Sequence, residues 1–233
     1  MVTLALDTSH PTGSVSLARD GALLGTETFA APSSHLVALG QCTNRVLGAA
    51  GLTPRQLDRV AVVTGPGSFT GLRIGLSFAK GLHASTGAEM VAMGALRLLA
   101  LPQLEKANRV CAMIDARRGE VYAAIYDRDQ EIVAPGAVAP DEWLARLELA
   151  PDLFVGTGAL AYSEMIRDVF PDATIAGSDA AFPSTAHLAI IAHALPALDE
   201  PAVRALEPLY IRPSGAEQKR LRAHAHPAED ADG

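Results

Sequence analysis

Cysteine is almost missing from these 233 residues, with only Cys42 and Cys111 present. Two cysteines cannot staple a chain of this length, so a reduced, cytoplasmic setting is expected. Basic charge is also short. Nineteen Lys and Arg stand against 26 Asp and Glu, a formal net charge of -7, and the sequence pI is near 5.5. Such a molecule repels phosphate backbones as a whole, which argues against an unaided grip on nucleic acid. Long apolar runs are lacking as well. The first one stops at Asp7 with no basic region before it, unlike a signal peptide. The stretch from Ala186 to Leu198 is broken by His193 and Pro196 and falls short of the roughly 20 residues that cross a bilayer. A soluble protein with no membrane association is expected. What is present is ordinary globular composition: 49% hydrophobic and 19% charged residues exclude a disordered or fibrous chain. The length suits one large domain or two small ones.

Thr3 to Leu6 reads as a buried strand that ends in the turn-rich Asp7-Thr8-Ser9-His10-Pro11-Thr12-Gly13. Ser14 to Ala18 alternates polar and apolar, Asp20-Gly21 is a hairpin signal, and Leu23 to Phe29 supplies a third strand. Ser33 and Ser34 are cap candidates for a helix whose face carries Leu36, Leu39, Thr43, Val46, Leu47 and Ala50, with Gly51 as its stop. Thr53-Pro54 opens a short helical segment, and Val60 to Val63 suits a strand covered on both faces. A glycine loop and a helix follow, then a strand at Met90 to Met93 and a helix from about Ala95 to Leu104. From Arg109 the order starts again: a strand from Val110 closing on Asp115, a turn, a strand at Glu120 to Tyr126, a polar turn, and Glu131 to Val133. The echo points to a duplicated α/β architecture with a cleft between two lobes. The expected division is 1–104, then 105–211, whose last helix has the option of packing back on the first lobe, then a polar, solvated tail at 212–233.

The loop from Thr64 to Gly75 joins a buried strand to a helix, where backbone N–H groups can hold an anion. The residues leave two readings open: an anion cradle, or a tight turn whose glycines supply unusual φ. Its Gly-x-Gly-x-x-x-Gly spacing is one residue longer than the dinucleotide pattern, and no Gly-Lys-Ser or Gly-Lys-Thr is present. Along the helix Gly71, Gly75 and Ala79 recur every fourth residue, with Phe78 and Leu82 beside them and Arg73, Ser77 and Lys80 roughly opposite. Interior glycine costs about 1 kcal/mol relative to alanine, so a close approach of another backbone, internal or from a partner, is expected at Gly75.

Gly65-Pro66-Gly67-Ser68-Phe69-Thr70-Gly71-Leu72-Arg73-Ile74-Gly75 resembles the signature of the TsaB family. Leu4 to Ser9, Ile114 to Tyr122 and Glu207 to Arg212 match that family in the same order, so the resemblance runs from the first strand to about Arg212. It implies the two-lobed duplicated fold of actin, Hsp70 and the sugar kinases. It also implies a non-catalytic dimerisation subunit that pairs with a TsaD homologue, contacts a TsaE-type ATPase, and reaches tRNA only through that complex. The complex threonylcarbamoylates the adenosine 3′ to the anticodon in tRNAs reading codons that start with A. On this view the helices of the first lobe, including the one after the glycine loop, pack against the partner, the latter through Gly67, Ser68, Phe69, Gly71, Leu72, Arg73, Gly75, Phe78, Ala79 and Leu82, and Gly75→Leu should break the heterodimer while sparing the fold.

The catalytic relatives carry a His-x-x-x-His metal pair on a later helix. Here the corresponding Met93 to Leu99 contains no histidine, and none lies between His83 and His187. His187 and His193 are on different helical faces, so no metal and no catalytic residue are expected. No cofactor of its own is expected; ATP is used by the complex, at partner subunits. Asp7 and Asp115 each close the first strand of a meander and have two readings: nucleotide-facing carboxylates working through magnesium, or acceptors of backbone N–H groups in their own turns. Ser9 and His10 adjoin each other without a recognisable acid, and Arg117 and Arg118 occupy a turn. The competing functions are an independent ATP-dependent phosphotransferase using Asp7 and Asp115, and a homodimer that pairs its own docking face when no partner is present.

Overall fold

A computed structural model of the protein describes residues 1–30, 35–128 and 130–211; the cap candidates Ser33 and Ser34 and the tail from Arg212 lie outside them. The first lobe opens with β1 (Val2–Asp7), β2 (Thr12–Arg19) and β3 (Ala22–Ala30), followed by α1 (His35–Ala49), β4 (Arg59–Gly65), α2 (Phe69–Thr86), β5 (Glu89–Gly94) and α3 (Ala95–Ala100). The second lobe repeats the plan with β6 (Val110–Arg117), β7 (Glu120–Tyr126), β8 (Glu131–Val138), α4 (Pro140–Ala145), β9 (Leu153–Val155), α5 (Thr157–Ala161), α6 (Ser163–Val169) and β10 (Thr174–Ile175). Two last helices are α7 (Thr185–Ile191) and α8 (Glu200–Ala205).

The two sheets have the same topology. The first is ordered β3-β2-β1-β4-β5 and the second, read in the same sense, β8-β7-β6-β9-β10. In each, the three-strand meander is antiparallel and the two later strands add in parallel. This is the duplicated α/β fold expected above. The central strands explain themselves: β1 is buried along its whole length, and Val60 to Val63 on β4 are covered on both faces, as a continuous apolar run requires.

One core cluster joins the lobes, bringing Ala5, Ala61 and Val91 of the first sheet together with Val110, Ala112 and Val155 of the second around α3 and α7. A second lies under α1 and α2 on the outer face of the first sheet. A third gathers Trp143, Phe154 and Ile166 on the far side of the second sheet.

Three differences from the sequence reading have physical causes. α3 stops at Ala100 because Pro102 lacks the N–H that a longer helix needs, yet Leu104 is still buried by the turns that follow. β8 runs on to Val138, five residues beyond the expected strand, its register with β7 shifting at two irregularities. The second lobe also closes earlier than 211. Not one helix but two return: α7 packs on β1, β2 and β3, with Thr185 Oγ1 2.7 Å from the Ser16 hydroxyl, and α8 places Val203 in the core beneath α2.

Burial fixes the cysteine chemistry. Cys111 is fully buried on β6, Trp143 Nε1–H donates to its sulfur at 3.4 Å, and burial pushes its thiol up to about 12. The thiolate is therefore absent at neutral pH. At pH 8 a disulfide reagent such as DTNB is expected to leave Cys111 unlabelled until denaturant is added. Labelling of native protein within minutes would mean that the second lobe opens far more readily than this packing allows.

Candidate functional site

β4 leads into the glycine loop through a cis Gly65–Pro66 peptide. Ser68 caps α2, its side chain accepting the Gly71 N–H at 3.2 Å, and Gly87 ends the helix in the left-handed conformation at φ 77°. The loop is clasped to the turn after β1. Ser68 N–H donates to the Ser9 carbonyl at 2.7 Å, and the Thr8 hydroxyl donates to the Gly71 carbonyl at 2.7 Å. Two N–H donors at the helix entrance, those of Ser68 and Gly71, are thus already spent on the chain itself, which favours the tight-turn reading over the anion cradle.

The glycines are explained by the same contact. A Cβ on Gly67 would lie 2.5 Å from the Ser9 carbonyl oxygen, one on Gly71 1.9 Å from that of Thr8, and one on Gly75 2.3 Å from Thr8 Oγ1. The close approach required at Gly75 is therefore internal, to the end of β1. Gly71, Leu72, Gly75 and Ala79 are buried against their own sheet, so the expectation that these four meet a partner is corrected. The rest of the expected set is distributed differently: Ser68 and Arg73 are exposed, while Gly67, Phe69, Phe78 and Leu82 are half-buried.

Three other helix glycines have no internal reason among the described residues. Added Cβ atoms on Gly40 and Gly48 of α1 and on Gly81 of α2 would meet nothing within 4 Å. On α1, Val37, Gln41, Asn44 and Gly48 share one exposed face with half-buried Gly40 beside it; on α2, Thr70, Ser77 and Gly81 form an exposed ridge. The two helices pack side by side over the same core cluster, so their outer faces adjoin. Leu36 and Val37 stand 55% and 58% exposed at the start of α1. The family resemblance pointed to the first lobe's helices, but the four-residue spacing of Gly71, Gly75 and Ala79 marks the face of α2 that is buried against its own sheet and gives no sign of the outer one.

The returning chain flanks α2 on the other side. Lys80 Nζ donates to the Arg204 carbonyl at 3.0 Å, His83 Nε2 lies 3.0 Å from Glu200, and Leu209 N–H donates to the Thr64 carbonyl at 2.8 Å. The matched stretch Glu207 to Ile211 is thereby held beside the N-terminal turn of α2.

Between the lobes lies a cavity of about 360 Å³ whose walls include His10, Ser68, Asp115, Tyr122 and Phe182. The two candidate aspartates differ. Asp7 is only 3% exposed; one oxygen accepts the Ser9 N–H at 2.8 Å and the other lies 3.7 Å from His10 Nδ1. That is the turn-acceptor arrangement. Asp115 is half-buried at the cavity wall and accepts the Arg117 N–H at 2.8 Å, while Thr157 Oγ1 accepts its own N–H at 3.0 Å. Ser9 Oγ and the Asp7 carboxylate both face the same ring nitrogen of His10, so no relay passes through the imidazole. Arg117 and Arg118 make the hairpin turn with φ of 63° and 58°, a conformation arginine adopts rarely. Tyr122 and Tyr126 are packing residues in different degrees, half-buried at the cavity and fully buried in the core.

The family model described as TsaD, tRNA N6-adenosine threonylcarbamoyltransferase, matches residues 29–220. The chain is 30% identical over 230 residues to the tRNA threonylcarbamoyladenosine biosynthesis protein TsaB of Bacillus subtilis, covering 96% of this chain and 99% of that one. It is 31% identical to the TsaB protein of Haemophilus influenzae, with 91% and 94% covered. Among solved structures, a Pseudomonas aeruginosa protein described as similar to the peptidase YeaZ superposes with a TM-score of 0.73 at 27% identity, over 91% of this chain and 99% of that one.

Proposed function

We infer, from the premise that this chain belongs to the TsaB family, that it serves in the biosynthesis of tRNA threonylcarbamoyladenosine as the non-catalytic docking subunit for a TsaD-type partner. The observation that carries the docking role is the outer face of α1 and α2. Interior glycines cost about 1 kcal/mol each relative to alanine. At Gly40 and Gly81 nothing within the described chain offsets that cost, and two large aliphatic side chains, Leu36 and Val37, stand in water beside them. A helix pair from a second polypeptide would account for both features, since small residues let helix axes approach to about 8 Å. The surface is also suited to pairing two copies of this chain, which is the state expected of an isolated sample. With a net charge of -7, tRNA contact is left mainly to the complex, and a TsaE-type ATPase joins it there.

The phosphotransferase reading is weaker because Asp7 is turned into its own hydrogen bonds, leaving Asp115 without a matching carboxylate across the cavity. The test is reconstitution. Purified chain mixed with the TsaD-type protein of the same organism should co-elute, and threonylcarbamoylation of tRNA should require both. Turnover of Mg-ATP by this chain alone, or modification that proceeds without it, would overturn the assignment.

A further inference from the structure

Arg73 is an exposed cation with an unusual setting. Its guanidinium carbon sits 3.8 Å over the Phe69 ring and 5.6 Å from the Tyr210 ring. Its Nε–H donates to the Tyr210 hydroxyl at 2.7 Å, and the two aromatic rings lie 4.8 Å apart at 32°. Phe69 opens α2, while Tyr210 arrives on the returning segment, itself pinned to β4 through Leu209. The guanidinium is thus stacked on one ring and fastened at Nε by another, and no carboxylate lies within ion-pair distance among the described residues. Its two terminal nitrogens remain available as a planar fork beside the exposed α2 ridge of Thr70 and Ser77.

We propose that Arg73 is the charged anchor of the docking face, presenting this fork to a carboxylate on the partner protein, and that Tyr210 is a positioning residue that holds it ready. The proposal rests on the docking reading above. An exposed arginine normally gives up rotamer freedom to make an ion pair, and that loss is why most surface pairs contribute little. Stacking and the Tyr210 bond have already removed that freedom, so the pair is strengthened by pre-organisation. A planar bidentate fork matches a carboxylate in a way that a lysine ammonium does not. RNA phosphate has the same geometry, but it would have to approach a chain of net charge -7, which favours a protein carboxylate.

The experiment measures affinity of the full chain for its TsaD-type partner, without tRNA, between about 50 and 500 mM NaCl. Arg73→Ala should weaken binding by about tenfold or more and flatten its salt dependence, with the thermal midpoint unchanged. Arg73→Lys should recover little of the loss. Tyr210→Phe, which keeps the ring and removes the acceptor, should fall between wild type and Tyr210→Ala. Wild-type affinity in Arg73→Lys would overturn the proposal, as would an unaltered salt dependence in Arg73→Ala. So would normal partner affinity combined with weakened tRNA binding by the assembled complex, which would make Arg73 an RNA contact. If the wild-type chain does not bind the partner at all, the docking reading fails instead.

Discussion

Gly71→Ala is expected to cripple the fold of the isolated chain. The new Cβ would sit 1.9 Å from the Thr8 carbonyl oxygen, an atom of the backbone that cannot swing aside as a side-chain tip can. Relief requires separating α2 from the turn after β1. That movement breaks the Thr8 hydroxyl bond to the Gly71 carbonyl and the Ser68 N–H bond to Ser9. Overpacking a filled interior costs about 1–3 kcal/mol, and stranding a buried hydrogen-bonding group costs a similar amount again. Together they predict a loss of roughly 3–5 kcal/mol, which for a chain of this size is a fall of about 10 °C or more in thermal midpoint. Gly75→Leu belongs in the same class, because its Cβ would lie 2.3 Å from Thr8 Oγ1. It would therefore lose the heterodimer by losing the fold, so it does not separate the two functions. Gly81→Ala is the control on the same helix. It fills open space and should raise stability by about 0.5–1 kcal/mol, seen as a higher midpoint in calorimetry. A Gly71→Ala protein that melts with the wild type would mean that the loop is not clasped as described.

The contrast between these glycines also marks how far the sequence carries. Helix period and glycine spacing revealed that something must approach the 71-75-79 stripe closely; they could not say that the neighbour is Thr8, sixty-three positions earlier. The same holds for fold. β1, β4 and the two meanders were legible because continuous apolar runs and hairpin turns are local signals, whereas β9 and β10, of three and two residues, were too short to read, so the second sheet was only half visible. The helices after Pro140 were not, since α4 to α8 span only five to seven residues each, two turns at most, too short to display a period. α7 returns through Leu188 and Ala189 in the interlobe core and through hydroxyl contacts between Thr185 and Ser14 and Ser16, pairings of long range that no window contains. At the cavity, both aspartates were visible as strand ends. Both accept the N–H two residues on; that Asp7 is also buried beside His10 while Asp115 stands at the cavity wall became apparent only with distances.

Gly81→Arg should show the reverse of the Gly71 result: intact monomer, lost partner. The position is exposed, an added Cβ meets nothing, and arginine is a good helix former, so the isolated chain should melt no lower than wild type. On a face where two helix pairs meet through small residues, a long charged side chain holds the axes apart by several ångströms. The damage is not confined to one residue, because dispersion falls off steeply over the whole ridge of Thr70, Ser77 and Gly81. A weakening of about a hundredfold or more is expected, close to 3 kcal/mol at 1.4 kcal/mol per tenfold. Leu36→Glu, on the neighbouring helix, should act in the same direction by placing a charge where apolar area is to be covered. Should the same face pair two copies of this chain, as proposed above, sedimentation of Gly81→Arg alone is expected to shift the wild-type dimer to monomer. The measurement is direct: isothermal titration against the TsaD-type partner beside calorimetric melting of the variant. Tight binding by a well-folded Gly81→Arg protein would place the interface elsewhere and leave the open-space glycines without a physical reason.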